Sequence, residues 1–229
     1  QARAVRRERA FTRAAAHELK TPLAVLRTHA EALREDIAPE KRERYLDVIL
    51  DESDRMNDLV GQLLDLSRLE AGAELRREPV ELKPLIQAVF ARLEPAARES
   101  GAALTLDLQP LQVEGNPRRL EELVTELGAN ALRHCPAGGE VRVSLRQEGR
   151  KARLEVENDG APIPAGDLSR LWEPFYRGDK SRSRENGGSG LGLALVRGTA
   201  EAHKGTCWAE NRPGGVCFTV ELPALQSES

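Results

Sequence analysis

The sequence predicts an α+β protein in two parts: an N-terminal helical hairpin over residues 1–72 and an α/β-sandwich domain over 73–229. Three observations lead there. Apolar residues step by three and four through the N-terminal third, the signature of helix faces. Beyond position 100 several short segments switch to a period of two, the signature of half-buried strands. Aromatic residues make up only 3 % of a chain that is 40 % hydrophobic, so the core is built from Ala, Leu and Val, a composition that suits helices better than stacked sheets.

In the first helix the apolar positions are Leu19, Leu23, Leu26, Ala30, Leu33 and Ile37, a heptad stripe. Asp36 to Glu40, with Pro39, breaks it. A second run follows through Tyr45, Ile49, Met56, Leu59, Leu63 and Leu66, with Glu52 as a polar interruption and with Leu46, Leu50, Val60 and Leu64 widening its apolar face. Two helices joined so closely fold back as an antiparallel hairpin. A hairpin this apolar buries too little alone, and a second copy completes a four-helix bundle across a two-fold axis; a homodimer is expected.

A domain boundary is expected near 72–78, after Gly72. Pro79 to Leu82 begins extended, and Lys83 to Ser100 is helical with an interruption at Pro95. Ala102 to Leu108 alternates as a strand. Asn116 and Pro117 open a helix, as cap and first helical residue, that runs to about His134. Glu140 to Gln147 and Lys151 to Asn158 form a hairpin around Glu148-Gly149-Arg150. Arg177 to Gly190 reads as a mobile loop, Leu191 to His203 as a helix, Thr206 to Asn211 and Val216 to Leu222 as a closing hairpin, and Leu225 to Ser229 as a frayed tail.

Composition excludes several classes. Lys and Arg total 34 against 37 Asp and Glu, a net charge of -3 that argues against nucleic acid as a partner. The three cysteines, Cys135, Cys207 and Cys217, form no Cys-x-x-Cys pair and read as reduced thiols. No stretch approaches the roughly 20 apolar residues that span a bilayer. Arg6 to Phe11 leads into the first helix like the end of a linker, so a further segment, the place for any membrane anchor, is expected upstream, and the chain itself is expected to be cytoplasmic.

Several residue groups bear on chemistry. His17 precedes Pro22 within one helix, and His17 and Thr21 fall one turn apart, opposite the Leu19–Leu23 seam. A helical histidine alone is ordinary surface; a proline inside the helix, which removes a hydrogen bond at a cost of about 3 kcal/mol, is not. Glu18 beside it can hold one ring nitrogen and free the other as a nucleophile. Asn186-Gly187-Gly188-Ser189-Gly190-Leu191-Gly192-Leu193 opens a helix, either as a phosphate cradle or as a flexible loop capped by glycines. Asn158-Asp159-Gly160 leaves a strand, with Asp159 either accepting from an exocyclic amine or closing an Asx turn. Glu126 and Asn130, one turn apart, present oxygens to a hard cation or form a plain solvated pair.

His17-Glu18-Leu19-Lys20-Thr21-Pro22-Leu23 resembles the H box of the sensor histidine kinases of two-component systems, and the hairpin resembles their dimerisation and phosphotransfer domain. Glu126 to Pro136 is similar to their N box, Asp159 to Ile163 to the first glycine box, Trp172-Glu173-Pro174-Phe175-Tyr176-Arg177 to the F box, and Gly188 to Leu193 to the second glycine box. The resemblance implies an ATP-binding fold of the gyrase, heat-shock ATPase and histidine kinase type, and the cofactors ATP and Mg2+. It implies His17, Glu18 and Thr21 as catalytic residues, with Thr21 serving phosphatase chemistry, and a response-regulator receiver domain as partner. Asp159 would take the adenine amine, Asn130 and Glu126 the magnesium, and Arg133 a phosphate, with Gly160, Phe175, Arg177, Gly188, Gly190, Leu191 and Gly192 completing the nucleotide site.

Four features depart from the family pattern. Glu126 stands where a second asparagine is common and where the gyrase-type ATPases carry a water-activating glutamate. Pro162 replaces a glycine, Arg133 a common lysine, and His134-Cys135 an aromatic-Thr pair. Two alternatives follow: a gyrase-type ATPase, or a dimeric scaffold without phosphotransfer.

Overall fold

The computed structural model describes residues 2–72, 75–178 and 188–225, with side chains from Phe11 onward. It divides into two units, Gln1–Ser67 and Arg68–Ser229.

The first unit is the hairpin. Helix α1 spans Ala2–Arg34 and helix α2 Arg42–Glu70, joined through a single 3-10 turn at Pro39–Lys41. Pro22 lies inside α1, and its ring is buried, which offsets the backbone hydrogen bond it removes. The stripe expected from Leu19 to Ile37 proves to be two seams. Leu19, Leu26 and Leu33 are partly buried together with Pro22 and His29, whose ring meets Tyr45 of α2 edge-on at 5.5 Å. Leu23 and Ile37 face outward instead, 56 % and 53 % exposed. The sequence pattern merged the two because Pro22 and His29, inward residues at heptad spacing, do not count as apolar. Leu46, Leu50, Val60 and Leu64 of α2 are exposed as well.

The second unit is built on a five-stranded sheet of order β2-β4-β5-β7-β6, comprising Ala103–Leu108, Glu140–Glu148, Lys151–Asp159, Gly215–Pro223 and Thr206–Arg212. Only β2 and β4 pair in parallel. Alternation places Val141, Val143, Leu145, Leu154, Val156, Phe218 and Val220 on one face, in one core with residues of α3 (Leu82–Ser100), α4 (Pro117–His134) and α6 (Gly192–Ala202). The other face is a lattice of ion pairs. Arg142 binds Glu140, Glu157 and Asp159, while Arg212 binds Glu155, Glu157 and Glu210.

Several local details differ from expectation. Pro95 does not interrupt α3, which is helical throughout. The short strand β3 (Gln112–Gly115), which pairs antiparallel with β1 (Glu78–Glu81), and the four-residue helix α5 (Ala165–Leu168) have no sequence signal strong enough to announce them. The tail is anchored at its start: the Ala224 N–H donates to Arg150 and the Leu225 N–H to Gln112, at 2.9 and 2.8 Å. Residues 179–187, within the expected loop, and 226–229 lie outside the described residues. Among the described residues no helix is long and apolar enough to cross a membrane. The cysteines are free thiols, and burial pushes Cys207 up to about 12 and Cys217 up to about 11.

Candidate functional site

On the hairpin, His17 and Thr21 are both exposed, Glu18 is half-buried and Pro22 is fully inside. Positions i and i+4 of a helix share a face, so the imidazole and the hydroxyl stand one above the other. A nucleophile needs this access, which the apolar seam beneath leaves open.

In the second unit several of the residues expected to form the nucleotide site gather along two antiparallel helices. Asn116 caps α4 by accepting the Arg119 N–H at 3.0 Å, and Pro117 follows it. Helix α6 runs back along α4 and is pinned to it at three levels. At one end the His203 ring accepts the Asn116 N–H at Nε2, 2.9 Å, and donates from Nδ1 to the Thr199 carbonyl, 2.7 Å. Midway, the Glu126 carboxylate packs onto Gly192, the first residue of α6, so closely that a Cβ there would collide with it. At the far end the Arg133 guanidinium lies over Gly188, whose added Cβ would stand 3.1 Å from it. The carboxylate of Glu126 thus sits at the positive end of α6, and Arg133 beside the glycine segment that leads into it.

Phe175 is held by the same segment. Its N–H donates to the Gly190 carbonyl at 2.8 Å, and Gly190 has φ +73 with Phe175 Cα 2.9 Å from where its Cβ would be. Only glycine fits there. Leu191, fully buried, anchors the start of α6 and donates its N–H to the Ser189 hydroxyl. Arg177 follows Phe175, with its side chain against Gly190. The side chain of Asn130, half-buried on α4 one turn beyond Glu126, makes no hydrogen bond among the described residues.

At the end of β5 the structure separates two neighbours. Asp159 turns to the ion-pair face: its Oδ2 accepts the Glu140 N–H and its Oδ1 the Arg142 guanidinium, both at 2.9 Å. These bonds hold its carboxyl below the usual range. Asn158 turns inward, in register between Val141 and Val216, and is 2 % exposed. The backbone at Gly160 passes the His134 carbonyl so closely that a Cβ would lie 3.1 Å from it, which ties this strand end to the end of α4. Asp159 is therefore not among the inward-facing groups. The alternation Ala152, Leu154, Val156 continues to Asn158 and points it inward.

Among the described residues no group of three or more His, Cys, Asp or Glu could hold a metal ion. Magnesium carried on a triphosphate needs only one or two protein oxygens, and Asn130 with Glu126 fits that demand.

A helical hairpin with an exposed histidine, followed by an α/β sandwich whose glycine segment opens a helix, defines the architecture of a phosphotransfer protein with an ATPase-type domain. The comparisons with known proteins agree. Residues 7–72 match the His Kinase A (phospho-acceptor) domain, and residues 115–226 match the histidine kinase-, DNA gyrase B- and HSP90-like ATPase domain. The chain belongs to the sensor histidine kinases of two-component systems. It is 42 % identical over 220 residues to the sensor protein SphS of Synechococcus elongatus, covering 91 % of this chain and 53 % of that protein. It is 36 % identical to the sensor-like histidine kinase SenX3 of Mycobacterium tuberculosis, covering 95 % and 54 %. The chain therefore spans about half the length of these relatives. Among solved structures, the histidine kinase AdeS of Acinetobacter baumannii aligns with a TM-score of 0.75 at 25 % identity, covering 90 % of this chain and 97 % of that one. The histidine kinase ThkA, in a complex with the response regulator protein TrrA, aligns with a TM-score of 0.75 at 25 % identity, covering 94 % and 61 %.

Proposed function

We propose that this chain is the catalytic core of an ATP-dependent protein-histidine kinase, and that His17 is its phospho-acceptor. The observation that carries the reading is the exposed His17, one turn from Thr21, on a hairpin whose other seam is partly buried. A ring nitrogen of His17 attacks the γ-phosphorus of ATP; the P–O bond to ADP breaks as the N–P bond forms, and Glu18 takes the imidazole proton. Arg133 and the N–H groups at the start of α6 offset the phosphate charge. Asn130 and Glu126 would hold the magnesium that accompanies ATP, and the ion would supply charge neutralisation for the triphosphate oxygens. The phosphoryl group then passes to an aspartate of a response-regulator receiver domain docked on the hairpin. Thr21 positions water for the reverse dephosphorylation. The outward stripe of Leu23, Ile37, Leu46, Leu50, Val60 and Leu64 supports a homodimeric four-helix bundle.

The test is incubation with γ-labelled ATP and magnesium beside His17→Gln. Label that is lost in acid, stable in base and absent from the variant is expected; equal labelling of both chains would refute the assignment. The gyrase-type alternative, in which Glu126 activates water, predicts release of phosphate with no label on His17.

A further inference from the structure

Resting on the ATP-binding reading above, we infer that Arg76 and Arg77, which precede β1, are positioning residues for the nucleotide site, and that attachment of this linker and binding of ATP strengthen one another. The linker follows α2, which ends at Glu70, and runs into β1, whose Glu78 pairs with Gly115 of β3. It therefore arrives beside Asn116, the cap of α4.

Asn116 divides its side chain and its N–H among three segments. Its Oδ1 accepts the Arg119 N–H of α4 at 3.0 Å, its Nδ2 donates to the Arg76 carbonyl at 3.0 Å, and its N–H donates to His203 Nε2 at 2.9 Å. Arg77 makes the second attachment. Its guanidinium Nη2 donates at 2.5 Å to the carbonyl of Ala202, the last residue of α6. A cation there satisfies a carbonyl that has no partner within the helix and meets the negative end of the helix dipole. The packing leaves little slack, since a Cβ at Gly115 would stand 2.6 Å from Leu120 Cδ1 and 2.9 Å from His203 Cδ2.

Two adjacent linker residues thus hold the N-terminal end of α4 and the C-terminal end of α6. The other ends of the same two helices carry Glu126, Asn130, Arg133 and Gly192. Asn130 lies about 20 Å from Asn116 along α4, at a rise of 1.5 Å per residue. Helices are stiff over that length, so the seating of α6 on α4 at the linker end sets how the start of α6 meets Glu126 and Arg133. Releasing the linker takes the Ala202 carbonyl and Asn116 Nδ2 away from these partners and frees α6 to shift along α4. Linkage makes the effect mutual: if the attached linker favours ATP, ATP favours the attached linker.

The experiment uses the intact chain with magnesium and an ATP analogue whose β–γ bridge cannot be cleaved, so that phosphotransfer plays no part. Calorimetry compares the wild type with Arg77→Met, which keeps an apolar stem, and with Arg77→Lys, which keeps a cation for the single carbonyl contact. Affinity is expected to fall about fivefold or more in Arg77→Met and to return in Arg77→Lys, with the number of sites per chain unchanged. A misfolded fraction lowers the number of sites instead and leaves the affinity as it was. The reciprocal measurement needs no variant: the analogue should slow trypsin cleavage after Arg76 and Arg77 severalfold, and leave cleavage after Arg27 in the hairpin as it is. Unchanged affinity in Arg77→Met, a loss that Arg77→Lys does not restore, or linker cleavage indifferent to the analogue overturns the inference. A wild type that binds no analogue overturns the ATP reading and this inference with it.

Discussion

Replacing His203 by leucine tests the coupling between the helix that follows the glycine segment and the helix that carries Asn130. The ring is 3 % exposed and ties Asn116, the cap of α4, to Thr199 on α6 through two hydrogen bonds of 2.9 and 2.7 Å. Leucine fills similar space but leaves the Asn116 N–H and the Thr199 carbonyl without their partner, at about 2 kcal/mol for the pair. For a unit of this size that lowers the melting temperature by about 4–8 °C. The same site sets a pH dependence. Burial lowers the His203 pKa below its ordinary value, the bond to the Thr199 carbonyl works against that, and Arg77 adds to the lowering. The fold thus favours the neutral ring, because Nε2 must accept. A depressed histidine contributes stability that is complete above its unfolded pKa of about 6.5 and is lost as pH falls through the folded value. Urea melts between pH 7.5 and 5 should show wild-type stability declining on the acid side and a shallower decline in His203→Leu. Equal slopes, or equal melting temperatures at pH 7.5, would refute the reasoning.

Two further outcomes are expected. Gly190→Ala forces a side chain into φ +73 and against the Phe175 backbone; ATP affinity should fall by at least roughly tenfold, read by calorimetry, while the sheet melts within a few degrees of wild type. Leu50→Lys combined with Leu64→Lys places charge on the outward stripe of α2, whose leucines are 63 % and 54 % exposed; sedimentation should shift from dimer to monomer with helical circular dichroism retained, and an unchanged dimer would contradict the bundle.

The fold was largely legible because its long elements carry strong periods. The cap Asn116-Pro117 and the turn Glu148-Gly149-Arg150 each fixed one boundary by local chemistry. What stayed hidden is tertiary. Strand β3 has four residues and exists because β1 pairs with it. The two hairpin seams were merged because a proline and a histidine do inward packing that hydrophobicity scales do not credit to them. Asn158, not Asp159, faces the interior, because the pleat and not the charge decides which of two neighbours points inward. The contact between Glu126 and Gly192 joins residues far apart in sequence and has no local signal at all.

That contact leads to a last prediction. A carboxylate at a helix N-terminus is favourable by about 0.3–1 kcal/mol, so Glu126 stabilises the start of α6 before any nucleotide arrives. A triphosphate seeks the same N–H groups and brings negative charge toward that carboxylate. Repulsion opposes binding unless a divalent cation lies between the two, turning Glu126 from a competitor into a ligand. Asparagine at this position keeps an oxygen and removes the charge. Affinity for ATP should accordingly rise severalfold in Glu126→Asn when magnesium is chelated, and change little when magnesium is saturating. If chelation weakens ATP binding equally in both chains, Glu126 does not face the phosphates, and the cation is held by Asn130 without it.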